Sequence, residues 1–340
     1  VHHPGAKDAS RTHAGTARTA LAGGVTTSFR LPKRLLVGNP MHSGQLSETL
    51  LPKRLALPVY CSDPISSNAY ATQEIVLVLA LGGATMVLFT PWVALLVVSL
   101  LALVTLSYRQ TCHAYPDGGG AYAVSRANLG RNASLVAAAA LMVDYVMTVA
   151  VSIASGVENL VSAFPGLRPH SVLLCLVFIV VLTVMNLRGV RESGTLFAIP
   201  TYGFILSVFV MLGVGFWNAF TGHTPVAESA GLGFANTSPA GAALVILLLR
   251  AFASGCTSLT GVEAVSNGVP TFREPKAHNA ALTLLMMGGL SIAMMMGISV
   301  LSTWSNLHIA DSLSELTNVP AGYEQRTVLV LHHVVGLSVP

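Results

Sequence analysis

Four carboxylic acids, Asp63, Glu74, Asp144 and Glu263, fall inside stretches that are otherwise apolar. An ionised side chain is costly in lipid, so an acid placed there marks an ion or proton path by default. Hydroxyls stand beside three of these acids at helical spacing. Asp144, Thr148 and Ser152 recur every four residues, Thr260 and Glu263 are three apart, and Asp63 and Tyr70 are seven apart, so each set shares one side of a helix. Carboxylate and hydroxyl oxygens on one stripe can replace the hydration shell of a small cation. Arg250 is the one base well inside an apolar stretch, and a single guanidinium cannot neutralise four acids. The plainer alternatives are a structural ion pair with Arg250, or acids that reach water at helix ends.

Two of the acids sit where a helix is expected to break. In PVYCSDPISSNAYATQE, Pro64 removes a backbone donor, Pro58 lies earlier, and Ser62, Ser66, Ser67 and Asn68 surround the position. In RAFASGCTSLTGVEAVSNGVP, Gly255 and Gly261 flank Ser254, Thr257, Ser258 and Thr260. Ser258 thereby joins Thr260 and Glu263 as a candidate ligand. Non-helical backbone in a membrane is tolerated only where protein or water covers it. A pair of interrupted spans, one in each half of a chain, points to a transporter binding site near the bilayer midplane. For either segment alone, small residues that merely allow close helix packing are the alternative.

The elements that must position these residues are membrane helices. The 340 residues hold only 9% charged side chains against 53% hydrophobic ones, and the mean hydropathy is +0.67. A soluble domain carries about 25% charged residues, so a water-facing surface cannot be covered and an ordinary soluble enzyme is excluded. Seven stretches have roughly the 20 apolar residues that a crossing needs: 57–80, 86–107, 133–157, 171–187, 196–220, 241–268 and 280–303. The first and sixth hold the expected breaks, and the second break comes five spans after the first, the spacing of two inverted five-helix repeats. Of the 18 Lys and Arg, all but Arg168, Arg250 and Arg326 fall in the N-terminal tail or in loops that share one side if the spans alternate. The positive-inside rule then sets the N-terminus in the cytoplasm. The expected organisation is a disordered cytoplasmic tail over 1–34, a transmembrane domain over 35–303, and an extracellular loop over 304–340.

Other chemistries find little support. The isoelectric point near 9.0 comes without the basic, aromatic-interleaved surface that nucleic acid requires. Cys61, Cys112, Cys175 and Cys256 are widely spaced and fit neither a zinc site nor a disulfide framework. Gly118, Gly119 and Gly120 lack the Lys-Ser/Thr that follows in a phosphate-binding loop and read as a flexible turn or gating loop. No nucleophile and base set stands out, and no cofactor is implied. No apolar core ahead of a cleavage site marks a signal peptide in the first 29 residues.

Five blocks in order, LPVYCSDPISSNAYATQEI, YPDGGGAYAVSRANLG, LMVDYVMTVAVSIASG, NLRGVRESG and RAFASGCTSLTGVEAVSNGVPTFREPKAHNA, resemble the amino acid–polyamine–organocation permease superfamily, and within it the KimA-type potassium–proton symporters. The resemblance covers residues 35–300. It implies an all-α integral membrane protein of LeuT-like inverted-repeat fold, in which this chain holds the first repeat and the start of the second. It also implies proton-driven potassium uptake through the plasma membrane, with cation ligands at Asp63, Tyr70, Asp144, Tyr145, Thr148, Ser152, Thr260 and Glu263. Asp63 or Glu263 would exchange protons, and a homodimer is consistent with relatives. Pro64 departs from the family, where Ala is expected after the Asp. Against the twelve helices implied, the chain reaches only the seventh, so a fragment or a disrupted gene that does not transport alone is expected. An amino acid permease of the same superfamily is the first rival reading, and an inactive fragment or membrane sensor the second.

Overall fold

The computed structural model of the chain describes residues 50–187, 190–223, 225–235, 239–310 and 313–320. The expected tail over 1–34 and the segment from 321 onward lie outside the described residues. The fold is helical, with α1 (Lys53–Ala80), α2 (Thr90–Ala114), a short α3 (Gly120–Asn128), α4 (Arg131–Ala163), α5 (Ser171–Leu187), α6 (Val190–Phe220), α7 (Ala242–Gly255) and α8 (Lys276–Trp304). Among the described residues six helices are long and apolar enough to cross a membrane. The first expected crossing, α1, falls short by composition, because Lys53, Arg54, Asp63 and Glu74 interrupt its apolar residues. It is nevertheless enclosed by α2, α6, α7 and α8, and Ser67, Asn68 and Thr72 on it are buried against protein.

α1, α2, α8 and the span beginning with α7 form the central bundle. Cys61 and Ile65 of α1, Leu101 of α2, Val262 and Val265 of the interrupted span, and Leu284, Met287 and Met294 of α8 interlock in one core, which Val208, Met211 and Leu212 of α6 close from the side. Small residues let the backbones approach, as membrane packing without a hydrophobic drive requires. A Cβ on Gly288 of α8 would lie 2.8 Å from Thr105 of α2, and one on Gly255 would lie 2.7 Å from Ile75 of α1. α4 and α5 pair with each other through Ile153, Val157 and Val161 and are otherwise peripheral. α5 buries none of its residues although it is apolar all round, the signature of a helix whose surroundings are lipid.

The first expected break is absent: α1 runs unbroken through both Pro58 and Pro64. Each proline leaves a carbonyl four residues earlier without its helical donor. For Pro58 that carbonyl is Arg54, and the hydroxyl of Tyr202 on α6 donates to it at 2.8 Å. Neighbouring helices and side chains thus restore what the ring removes, the means by which membrane helices accommodate proline. The second break is present. α7 ends at Gly255, a 3-10 turn spans Cys256–Leu259, Thr260 is extended, Gly261 takes φ +78°, and a single α-turn resumes over Ala264–Asn267.

Loop contacts agree with alternating spans. Leu51, ahead of α1, exchanges backbone hydrogen bonds with Thr271 and Arg273, after the interrupted span. The Gly118–Gly120 loop lies against Ser266, Asn267 and Pro270. Three of the basic segments therefore share one end of the bundle. At the other end Gly233–Phe234 pairs antiparallel with Leu316–Thr317, and the His308 ring meets the Leu232 carbonyl at 2.6 Å.

Candidate functional site

Asp63 stands midway along α1, and its carboxylate faces two other elements. Ser152 of α4 donates to Oδ1 at 3.4 Å. On the other side the chain passes so close that a Cβ on Gly261 would sit 2.7 Å from Oδ2. Glycine is needed there twice over, for the positive φ and for that approach. The break in the span thus brings bare backbone to the acid.

A cavity of about 500 Å³ opens beside Asp63, lined also by Ser62, Ser66, Tyr145, Thr148, Ser152 and Thr201. An adjoining cavity of about 360 Å³ shares Ser66, Ser152 and Phe204 with it and continues past Tyr70, Gln73, Ser155 and Asn159. Tyr70 therefore serves the second space, and its hydroxyl pairs with Ser67 Oγ at 2.8 Å. Glu74 lines neither cavity.

Glu263 enters from the interrupted span as the residue just before the resumed α-turn. Only 6% of it is exposed, and its Oε1 has no hydrogen-bond partner among the described residues. A buried carboxylate oxygen without a donor calls for a proton or a cation. Asp63 and Asp144 lie within electrostatic reach of it, and the Tyr145 hydroxyl faces it. Tyr108 of α2 lies within electrostatic reach of it as well. Asp144 is half-buried and stands in an outward depression with Ala140, Val143 and Met147, one residue off the face that Tyr145 and Thr148 present to Asp63.

Ser258 and Thr260 sit at the break, with their hydroxyls turned back on their own chain. Ser258 donates to Gly255 O at 3.0 Å and Thr260 to Thr257 O at 2.9 Å. These bonds satisfy carbonyls the broken helix frees, and the hydroxyl oxygens keep lone pairs. Arg250 is exposed on α7 and bridges none of the acids. Among the described residues the one ion pair is Lys276 with Glu274, 3.8 Å apart. The structural ion pair considered for Arg250 is therefore not formed, because α7 turns that face away from the bundle.

Three neighbours of the site escape a reading by spacing. Thr201 follows Pro200, a proline inside an apolar run that could have flagged it. Tyr108 lies in the last two turns of α2, and Asn267 stands one turn beyond Glu263. Asn267 donates to the Tyr145 hydroxyl at 2.7 Å. The glycine loop is likewise not a free turn: Gly120 abuts the Asn267 side chain, and a Cβ on Gly118 would lie 2.7 Å from the Asn267 carbonyl.

A multi-pass helical bundle built around one interrupted span, with unpaired acids beside the break, is a LeuT-like membrane permease fold. The chain belongs to the amino acid permease family, which it matches over residues 56–317. It is 43% identical over 271 residues to the potassium transporter KimA of Bacillus subtilis (strain 168), an alignment that covers 79% of this chain and 44% of that protein. The chain thus spans less than half the length of this curated relative.

Proposed function

We propose that the protein takes up potassium in symport with protons across the cell membrane, with the cation held among α1, α4 and the interrupted span. The observation that carries this reading is the gathering of Asp63, Asp144 and Glu263 within electrostatic reach of one another, without a basic partner among the described residues. Clustered negative charge in a low-dielectric setting is held together by bound cations or protons. Asp63 and the oxygens of Tyr145, Thr148 and Ser152 supply ligands from two helices. Tyr70 extends the path, Thr260 and Ser258 shape the break, and Asp144 adds charge from behind. Glu263 has the burial and the unpartnered oxygen suited to carrying the proton. The similarity to a potassium transporter supports the choice of cation. The N-terminus is cytoplasmic in this reading, from the distribution of Lys and Arg, and the protein assembles as a homodimer.

The rival reading, uptake of an amino acid, takes support from the family's description. In that mode the freed backbone of the broken span binds a substrate carboxylate. Here the Asp63 carboxylate already faces Gly261, and like charges at that spot repel. Potassium uptake by the intact protein in cells that lack their own uptake systems tests the assignment. Asp63→Asn, Asp144→Asn and Glu263→Gln should each lower uptake about tenfold or more, the effect of about 1.4 kcal/mol. Wild-type rates in all three variants would sink the site, and competition by amino acids but not by rubidium would favour the rival.

A further inference from the structure

The path Asn267–Tyr145–Glu263 crosses from the glycine loop to the buried acid. Glu263 and Asn267 are four apart, and the Asn267 backbone amide donates to the Glu263 carbonyl at 3.0 Å, so both side chains rise from one side of the resumed turn. Tyr145 of α4 receives the Asn267 amide at 2.7 Å and lies within electrostatic reach of the Glu263 carboxylate. A phenol has one proton to give. With the amide donating into its oxygen, that proton is left for the carboxylate. An amide bond to the same oxygen also polarises the hydroxyl and strengthens its donation.

Asn267 is itself held from the opposite side. Gly120 abuts the carboxamide oxygen, where any Cβ would collide, and Gly118 crowds the Asn267 carbonyl. Both glycines have positive φ, so the loop adopts a path that side chains resist. Gly118 and Gly120 thus fit against Asn267, while Gly119 faces Ala123, and Asn267 carries the loop's position to the Tyr145 hydroxyl.

We infer that Asn267 is a positioning residue for proton coupling: it orients the Tyr145 hydroxyl toward Glu263 and is seated for that task by the Gly118–Gly120 loop. The inference deepens the proposed function and rests on that reading for its proton step. The charged and titratable groups that face Glu263 are Asp63 from α1, Tyr108 from α2, and Asp144 and Tyr145 from α4. Asn267→Leu removes none of these groups and takes the amide donor away from the Tyr145 hydroxyl.

The test is a double-mutant cycle on potassium uptake by the intact protein, measured across external pH and normalised to the amount in the membrane. Tyr145→Phe is expected to lower uptake about tenfold and Asn267→Leu about fivefold, and the double variant should lie within about twofold of Tyr145→Phe alone, since interacting residues are not additive. The pH of half-maximal uptake should move by a similar amount in both single variants and no further in the double variant. Additive losses, or an unmoved pH profile in Asn267→Leu, would overturn the inference. If the wild-type protein takes up no potassium, the proposed function fails on its own account. The same cycle read in melting temperature in detergent then decides the inference, and additive losses there overturn it.

Discussion

Tyr202 on α6 donates its hydroxyl at 2.8 Å to the carbonyl of Arg54 on α1, the carbonyl that Pro58 leaves without a helical donor. α1 therefore stays continuous where its sequence suggests a break, and the helix that carries Asp63 is anchored to its neighbour at the missing bond. Tyr202→Phe removes the donor and keeps the ring. It should cost about 1 kcal/mol, the worth of one such hydrogen bond, read as a lower melting temperature in detergent. An unchanged melting temperature would show that water replaces the hydroxyl at this half-open position.

Gly261 meets two demands, a φ of +78° and contact with Asp63 Oδ2. Gly261→Ala should destabilise the protein by about 1–2 kcal/mol from the left-handed backbone alone. Because its methyl group also pushes on the Asp63 carboxylate, uptake should fall by more than the loss of folded protein accounts for. Uptake and protein amount falling in step would limit Gly261 to a role in the backbone.

The shared end of the three basic loops predicts which residues meet the cytoplasm. In a background without Cys175 and Cys256, a cysteine placed at Arg126 should resist a membrane-impermeant maleimide on intact cells. One placed at His223 should react. The reverse pattern would invert the assignment made from the positive-inside rule.

Much of the site was legible before any tertiary structure. Asp63, Tyr145, Thr148 and Ser152 line one cavity: spacing put Thr148 and Ser152 on one side of α4, the family resemblance added Tyr145, and only packing brought α4 to Asp63. Glu263 was legible as an acid in an apolar run. The break at Gly255–Gly261 was legible as well, because glycine, serine and threonine there weaken a helix locally whatever surrounds them. The continuity of α1 through its prolines was not, since proline's lost bond can be replaced by a partner distant in sequence, here Tyr202. Asn267, Thr201 and Tyr108 were missed for the same reason: each is an ordinary polar residue whose role comes from what faces it.

The sequence by itself determined the membrane environment, the course of the apolar stretches and the sidedness pattern of the bases. These follow from composition and from the 3.6-residue period, which act within one segment. Only the tertiary structure decided that α1 runs unbroken, that Arg250 turns away from the acids, and that the glycine loop seats Asn267 against Tyr145. Those outcomes depend on which segments meet across long stretches of chain, as Arg54 and Tyr202 do 148 positions apart. No local rule of spacing reaches that far.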